Sequence, residues 1–246
     1  MQEQFARTRL LLGQKALDVL HHSRVAVFGV GGVGGYAVEV LARSGVGVIH
    51  LFDNDVFSAS NLNRQLHALH STLGQYKVDV AVERIHDIYP DCEAVAHRMF
   101  YLPENADEVD LSQFDYVVDC IDTMKAKLEL ARRCHLLGVP FISCMGAANK
   151  LDPTAFRVSD LSKTKMDPLA KVMRQQLRKE GIHHLKVVYS EEPPLRPLAD
   201  DDKKNGNDSC SRTVPASNAF VPAAAGLVVG GEVVKDLIRR ADAMRQ

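Results

Sequence analysis

The sequence predicts an α/β fold built on a doubly wound, mostly parallel, Rossmann-like sheet. Short apolar runs typical of buried strands alternate with amphipathic helical segments over residues 23–150. The first apolar run leads directly into a glycine-rich turn at residues 29–34, and that turn opens the next helix, as in folds that bind nucleotides. With 246 residues, of which 46% are hydrophobic and 25% charged, the chain is long enough to bury a substantial core.

The first half of the chain shows this alternation in order. Residues 5–21 predict a leading helix, placed within residues 1–22, with an apolar stripe of Leu10, Leu11, Leu17 and Leu20. The nucleotide-binding half, residues 23–150, is expected to contain a strand over 25–28, a helix through residue 43, a strand to residue 53, a helix over 76–88, strands over 93–99 and 115–120, a helix over 126–137 and a strand over 139–144. Pro90 and Gly138 mark the ends of two of these helices.

The second half, residues 151–246, changes character but is expected to belong to the same single domain of residues 1–246. It predicts a strand over 155–159, a helical basic insertion over 163–180, a strand over 185–189 and a last helix over 220–240. The last helix is expected to bury its apolar side, which consists of Leu227, Val228, Val233, Val234, Leu237 and Ile238. Residues 190–215 are rich in proline and in mixed charge, which predicts a mobile crossing loop within a substrate-binding half.

The glycine turn predicts a phosphate site at the start of the second helix. Glycines allow a tight turn and a close approach of the backbone to a phosphate, and they stand at Gly29, Gly31, Gly32 and Gly34. Asp53 ends the second strand, where a carboxylate normally accepts hydrogen bonds from ribose hydroxyls. A nicotinamide-binding unit would explain these features equally well. It would not explain the polar loop that follows, in which Asn61, Arg64 and Gln65 return towards the glycine turn.

Taken together, these motifs resemble the ThiF/MoeB superfamily of ubiquitin-activating-type adenylating enzymes. The residues that carry the resemblance are the glycine turn, Asp53 and Asp55, the loop 60–65, Lys77 at the start of the next helix, and the acidic turn 119–123. Segments 63–69, 145–147, 150–154 and 163–169 are similar to one branch, the TcdA-type tRNA threonylcarbamoyladenosine dehydratases. The resemblance extends from about residue 5 to residue 238 and is weakest between residues 191 and 217.

The resemblance implies an ATP site with Mg²⁺ and assigns roles to several polar side chains. Arg64 and Lys77 are expected to be catalytic, because an attack by a carboxylate on the α-phosphorus of ATP needs fixed cations to offset the charge. Asp122 is expected to be catalytic as the residue that holds Mg²⁺, and the nucleotide-binding set is completed by Asp53, Asp55, Asn61 and Gln65. Structural roles also fit single residues of this set: Asn61 as a helix cap, Lys77 as a solvated first-turn residue, Asp122 as an N-cap.

A homodimer is implied as well, because relatives place an arginine of the leading helix in the ATP site of the neighbouring subunit. Arg7 is the expected equivalent, Arg9 is the alternative, and a solvated arginine is a third reading.

The branch implies an ATP-dependent dehydration of threonylcarbamoyladenosine next to the tRNA anticodon, through an acyl-adenylate of the threonyl carboxylate. The nearer alternative is adenylation of a ubiquitin-like sulfur carrier, and the distant one is an NAD-binding module. The five cysteines form no CxxC pair, which disfavours the structural zinc of many MoeB and ThiF relatives. Cys210 lies in a polar loop, where the alternatives are a carrier of sulfur or of an acyl group and an idle surface thiol. A cysteine-desulfurase-type partner for sulfur transfer is a further expectation from the resemblance.

Charge is balanced over the chain but not locally. The formal net charge of −1 gives no argument for nucleic-acid binding from the charge of the whole molecule, but it allows a local cationic patch. Over residues 157–186, eight basic residues face three acidic ones, which predicts a cationic tRNA-binding patch formed by Lys163, Lys165, Lys171, Arg174 and Arg178. A solvated helix with a basic bias is the alternative. The N-terminus lacks a signal peptide and residues 219–231 are too short to span a membrane, so a cytoplasmic location is expected.

Overall fold

The structure, a computed structural model, describes residues 3–198 and 215–244. Its strands are β1 Arg24–Phe28, β2 Val48–Phe52, β3 Glu93–His97, β4 Tyr116–Asp119, β5 Phe141–Cys144, β6 Phe156–Asp160 and β7 Lys186–Ser190. Its α-helices are α1 Ala6–Leu12, α2 Gln14–His22, α3 Gly34–Ser44, α4 Lys77–Ile88, α5 Met124–Leu137, α6 Pro168–Lys179 and α7 Val221–Arg240.

The predicted doubly wound sheet is confirmed. Its seven strands follow the order β3-β2-β1-β4-β5-β7-β6, and all neighbouring pairs are parallel except β6 and β7, which are antiparallel. The strand order reverses between β1 and β4, and ligands of such sheets bind in the crevice outside the carboxyl ends of the strands at this point. The glycine turn follows β1 and the acidic turn follows β4, so both face that crevice.

Helices cover both faces of the sheet. One core cluster joins α2, α3, α4 and α7 to one face, and the other joins α5 and α6 to the opposite face. Strand β1 shows why both faces are covered: Val25 and Val27 enter the first cluster, while Ala26 and Phe28 enter the second. A strand buried on both sides needs a continuous apolar sequence, which is the pattern that predicted it.

The predicted leading helix is two helices, because Gly13 breaks it. Gly13 has φ 89° and ψ 165°, a conformation that side-chain-bearing residues avoid. The break also divides the predicted apolar stripe: Leu17 and Leu20 of α2 are buried, whereas Leu10 and Leu11 of α1 are 75% and 71% exposed. Only the second half of the predicted apolar stripe is therefore buried.

The basic helix begins later than the sequence predicted. Residues 161–163 form a short 3₁₀ turn, and α6 starts only at Pro168. Asp167 determines this start, because its Oδ1 accepts a hydrogen bond from the backbone N–H of Ala170, and proline favours the first helical position.

Helix α7 packs on α3 through glycines that the predicted apolar stripe did not include. A Cβ atom added at Gly226 would lie 2.2 Å from the Val33 carbonyl oxygen, and one at Gly230 would lie 2.7 Å from Val40 Cβ. Leu227, which the prediction placed on the buried side, is instead 50% exposed. Val233, Val234, Leu237 and Ile238 are buried as predicted, so backbone contact in the first half of the helix and side-chain burial in the second half together determine its buried face.

Two further predictions concern the second half of the chain. Most of the crossing loop, including Cys210, lies outside the described residues. Within the described part of the chain, every helix is too short or too polar to span a lipid bilayer.

Candidate active site

A cavity of about 420 Å³ lies at the point where the strand order reverses. One side is formed by the glycine turn and the loop after β2, and another by the turn after β4. Residues that follow β5 and residues just before α7 close the remaining side. The volume falls within the range of about 300–1,000 Å³ common for small-molecule sites.

The glycines of the turn have two separate tasks. Gly29 has φ 87°, and a Cβ there would lie 2.8 Å from the Cys120 carbonyl oxygen. A Cβ at Gly34 would lie 1.7 Å from the Gly29 carbonyl oxygen, so these two glycines permit the turn itself. Gly31 and Gly32 line the cavity, and a Cβ at either would meet nothing closer than 3.5 Å. These two positions therefore leave backbone open to a ligand at the helix N-terminus.

Asp53 lines the cavity at the end of β2 and fixes the loops around it. Its Oδ2 accepts a hydrogen bond of 2.8 Å from the Val30 N–H, and its Oδ1 accepts one of 2.9 Å from the Asp55 N–H. A carboxylate offers about four acceptor positions, so both oxygens keep capacity for the hydroxyls of a ribose. The geometry agrees with the role predicted for this residue.

The two predicted catalytic cations both line the cavity. Lys77 is 5% exposed, and its Nζ donates to Asp55 Oδ2 at 2.7 Å. Arg64 Nη1 donates to the Ser60 carbonyl oxygen at 2.9 Å and to Asn63 Oδ1 at 2.8 Å. Each cation is thus held by neighbouring acceptors at the edge of the cavity.

Gln65 and Asn61, from the same polar loop, differ in placement. Gln65 lines the cavity, and its buried Oε1 has no hydrogen-bond partner among the described residues. Asn61 does not line the cavity, and its Oδ1 accepts from the Ser58 N–H at 3.1 Å. Its side chain therefore caps the short 3₁₀ turn Ala59–Asn61, which was the structural alternative for this residue.

Asp122 lies exposed at the cavity edge, after β4. Its Oδ1 accepts from the Thr123 hydroxyl at 3.3 Å, and the N-cap position of α5 is occupied by Thr123, so Asp122 is not the N-cap. The described residues contain no group of three or more His, Cys, Asp or Glu side chains arranged to hold a metal. One carboxylate still fits Mg²⁺, which proteins commonly hold through one or two carboxylates together with substrate phosphates and water.

Beneath the acidic turn lies an ion pair that the sequence reasoning missed. Asp119 and Lys127 have side chains that are 0% exposed, and Lys127 Nζ lies 2.9 Å from Asp119 Oδ2. Lys127 Nζ also donates to the Ile121 carbonyl oxygen, and Asp119 accepts from the Ile121 N–H and from the Ser143 hydroxyl. The network fixes the turn that carries Asp122. Its signal in the sequence is that Lys127 occupies the same helical stripe as Leu130, Ala131 and Cys134.

Two thiols line the cavity, at Cys120 and Cys144. Burial raises the pKa of Cys144 to about 12 and the pKa of Cys120 well above its usual range. Both are therefore protonated at neutral pH and are poor nucleophiles, because the thiolate is the reactive form.

The predicted tRNA patch is only partly available to a ligand. Lys163, Lys165, Lys171 and Arg178 are exposed, and none of them is ion-paired within the described part of the chain. Arg174 is different, because its Nη1 donates to the carbonyl oxygens of Leu161 and Thr164 and to the Thr164 hydroxyl. Arg174 was predicted to belong to the patch, but it is not free to bind a ligand, because its guanidinium joins α6 to the turn before that helix.

The arginines of the leading segment lie away from the cavity of their own chain. Arg7 is exposed on α1, and it is not among the cavity-lining residues. Arg9 lines a separate cavity together with Phe5, Leu17 and His21. The structure therefore brings together most of the predicted nucleotide set, and Gly34, Asn61 and Arg7 do not line the cavity.

Known proteins share this architecture over nearly its whole length. The model of the ThiF family matches residues 4–243. The tRNA threonylcarbamoyladenosine dehydratase of Bacillus subtilis (strain 168) is 50% identical, over 97% of this chain and 96% of its own. Crystal structures of the E. coli tRNA N6-threonylcarbamoyladenosine dehydratase in complex with AMP and with ATP superpose with TM-scores of 0.87 and 0.85, each at 32% identity over 98% of this chain and 96% of theirs.

Proposed function

The chain belongs to the ThiF family, and on that premise we propose that it catalyses the ATP-dependent dehydration of threonylcarbamoyladenosine in tRNA. The observation that carries the proposal is the single cavity in which the glycine turn, Asp53, Arg64, Lys77 and Asp122 meet. The relatives of that activity cover nearly the whole chain. A nicotinamide module would use the glycines and Asp53 but would leave both cations without a task.

The first chemical step is the activation of a carboxylate. The threonyl carboxylate of the modified adenosine attacks the α-phosphorus of ATP, which forms a C–O–P bond and releases pyrophosphate. The carboxylate and the phosphates are both negatively charged, and two like unit charges about 4 Å apart repel each other by about 4 kcal/mol at an effective dielectric constant near 20. Arg64 suits the phosphate chain through its planar donor group, and Lys77 suits it as a compact point charge.

Asp122 is the residue proposed to hold Mg²⁺. Mg²⁺ would supply charge neutralisation between the phosphates, which is its usual contribution to phosphoryl and nucleotidyl transfer. The exposed carboxylate at the cavity edge and the hydrogen-bonded turn that carries it support this role.

The second step closes a ring within the substrate. The ureido nitrogen attacks the acyl carbon, a C–N bond forms, and the bond between the acyl carbon and the phosphate oxygen breaks. AMP leaves, the proton of the nitrogen passes to water, and the two steps together remove one water from the base. Intramolecular attack corresponds to an effective molarity of about 10⁵–10⁸ M when the groups are well oriented. The step needs no protein thiol, and the raised pKa values of Cys120 and Cys144 agree with that.

The tRNA is proposed to lie along the exposed cations before and on α6. Leu169, in the first turn of α6, lines the cavity, so the basic surface begins where the cavity ends. We take this surface to comprise Lys163, Lys165, Lys171, Arg178 and Lys179, and call it the α6 patch. A tRNA held there would present a base to the cavity while its phosphates meet the patch.

A homodimer is proposed as the working state, with Arg7 reaching the ATP site of the partner copy. The support is that α1 is exposed at Leu10 and Leu11 and that Arg7 lies outside the cavity of its own chain. A cysteine-desulfurase-type partner rests on the resemblance alone. The cytoplasm is the proposed compartment, because the proposed substrate is tRNA.

The test is direct. Purified protein is incubated with ATP, Mg²⁺ and tRNA that carries threonylcarbamoyladenosine, and the nucleosides are analysed by mass spectrometry beside AMP and pyrophosphate. We expect a product nucleoside lighter by one water, formed together with one AMP. ATP–pyrophosphate exchange that requires a small protein with a Gly-Gly tail, with no change in the tRNA, would instead support sulfur-carrier adenylation and refute the proposal.

A further inference from the structure

The guanidinium of Arg64 is joined to a distant part of the chain through one side chain. Asn63 Oδ1 accepts from Arg64 Nη1 at 2.8 Å, and Asn63 Nδ2 donates to the Ser217 carbonyl oxygen at 3.2 Å. Ser217 precedes α7 and lines the cavity. Both ends of the Asn63 amide are therefore occupied, one by the proposed catalytic cation and the other by the cavity wall.

That wall is itself held in place by Asn149. The Asn149 N–H donates to the Ala216 carbonyl oxygen at 2.8 Å, and its Oδ1 accepts from the Ala216 N–H at 2.7 Å. The Asn149 carbonyl oxygen accepts from the Leu195 N–H at 2.7 Å. Asn149 has φ 60°, a conformation that asparagine tolerates better than most residues. We call this set of hydrogen bonds the Asn149 clasp.

The stem of Arg64 is confined as well. A Cβ added at Gly32 would lie 3.5 Å from both Arg64 Cγ and Pro222 Cβ, so the stem lies over the glycine turn beside the start of α7. With the stem packed there, the direction of the guanidinium depends on the acceptors of Nη1, which are the Ser60 carbonyl oxygen and Asn63 Oδ1. Only the second of these acceptors links Arg64 to the segment before α7.

We propose that Asn63 is a positioning residue for adenylation, which orients the Arg64 guanidinium and fixes it to the cavity wall at residue 217. This inference rests on the proposed role of Arg64 at the phosphates. A long flexible side chain loses conformational freedom when it binds phosphate, and an acceptor that already restricts it reduces that loss. The Asn149 clasp holds Ala216, which is next to Ser217. The position of the Arg64 guanidinium therefore depends on how well the chain before α7 is ordered.

The experiment measures ATP affinity and steady-state turnover in a double-mutant cycle. The variants are Asn63→Ala, Arg64→Ala and the combination of both, with a fluorescent ATP analogue titrated into the millimolar range. A hydrogen bond to a charged group corresponds to about a 10-fold change in affinity, so Asn63→Ala should weaken ATP binding about 5- to 20-fold. In the Arg64→Ala background the same change should alter affinity less than about 2-fold, because Asn63 acts through Arg64.

A second variant tests the wall. Asn149→Gly keeps the positive φ and both backbone hydrogen bonds of residue 149 and removes only the side-chain acceptor of the Ala216 N–H. We expect a smaller loss of ATP affinity than in Asn63→Ala, again absent when Arg64 is alanine. Gln75→Ala is the matched control, because Gln75 is also exposed and, among the described residues, its amide donates only to the nearby Ser71 carbonyl oxygen.

The outcomes separate this inference from the proposed function. Wild-type ATP affinity in Arg64→Ala would refute the role of Arg64 and the inference with it. Weak binding in Arg64→Ala together with wild-type behaviour of Asn63→Ala would overturn the inference alone. Equal losses from Asn63→Ala in both backgrounds, with a lowered melting temperature, would also overturn it, because they would mean a purely structural role.

Discussion

Replacement of Lys127 by methionine should destabilise the protein more than any exposed lysine on the same helix. Lys127 and Asp119 are both 0% exposed, with 2.9 Å between Nζ and Oδ2. At that separation and an effective dielectric constant near 20, the attraction is about 6 kcal/mol. The loss of solvation of both groups offsets most of this attraction, so the net value of the pair is small.

The protein loses stability when only one partner of the Asp119–Lys127 ion pair is removed. Lys127→Met leaves the Asp119 carboxylate buried without a counter-ion, which typically costs about 3–5 kcal/mol. The Ser143 hydroxyl and the Ile121 N–H still donate to Asp119, so the lower end, about 3 kcal/mol, is expected. Because domains are stable by about 5–15 kcal/mol, the variant should remain folded at 25 °C.

The assay is urea denaturation followed by circular dichroism, with ATP turnover measured below the transition. Lys125→Met is the control, because Lys125 is exposed on the same helix α5. The double variant Asp119→Asn with Lys127→Met should regain at least half of the lost stability, since no buried charge remains. Turnover should fall in Lys127→Met, because Lys127 also holds the Ile121 carbonyl oxygen in the turn before Asp122. A loss below about 1 kcal/mol, equal to that of Lys125→Met, would refute this reasoning.

Four further outcomes are expected. Arg64→Ala and Lys77→Ala should each lower ATP-dependent turnover about 10²–10³-fold at unchanged melting temperature, as for a lost oxyanion donor, whereas wild-type rates would place adenylation elsewhere. Replacing Lys171 and Arg178 with glutamine should flatten the salt dependence of tRNA affinity by about one to two units of slope, and Arg240→Gln, on the opposite face of the sheet, should not. Burial lowers the pKa of His67 from 6.5 to about 4, so the unfolded chain binds a proton near pH 6.5 that the folded protein excludes until about pH 4. The free energy of unfolding should therefore fall by up to about 3 kcal/mol as the pH decreases through this window, and denaturation curves of His67→Gln, but not of the exposed His70→Gln, should lose that dependence. Gly230→Ala should cost about 1–3 kcal/mol because its Cβ would lie 2.7 Å from Val40 Cβ, whereas Gly231→Ala, with nothing within 4 Å, should be neutral or stabilising in the same denaturation assay.

The nucleotide half of the site could be predicted because its determinants are local. The glycine turn, Asp53 and the turn after β4 each lie at the carboxyl end of a strand, and parallel strands bring those ends together whatever the rest of the chain does. A pattern of apolar runs was sufficient to place them. Where the backbone itself was the contact, as at Gly226 and Gly230, a rule based on apolar side chains failed.

The roles of individual polar residues were harder to predict, because a sequence shows that a side chain can donate or accept a hydrogen bond but does not show its partner. Asn61 was expected at the phosphates, yet its Oδ1 accepts from the Ser58 N–H three positions away. Arg174 was expected to face tRNA, yet its guanidinium satisfies the carbonyl oxygens of the turn before α6. In both cases backbone groups near the side chain form its hydrogen bonds, and backbone groups are costly to leave unpaired.

The wall at residues 215–218 could not have been foreseen. Asn63 and Ser217 are 154 positions apart, and Asn149 and Ala216 are 67 apart. No periodicity connects them, since each belongs to a loop whose path is determined by the packed helices around it. The ion pair of Lys127 was partly predictable from the sequence. The place of Lys127 on an apolar helical stripe indicates burial, and a buried lysine requires an anionic partner.

The ion pair between Lys77 and Asp55 helps to organise the proposed phosphate site. Lys77 is 7% exposed at its side chain and would be a nearly buried, unpaired cation without Asp55. The Asp55 side chain is 62% exposed, so water screens its charge, and Lys77 lines the cavity. An ammonium has three donors, so Lys77 can keep the contact with Asp55 and still donate to a phosphate. Asp55 therefore orients Lys77 without neutralising it at the phosphates, and much of the ordering is complete before ATP binds.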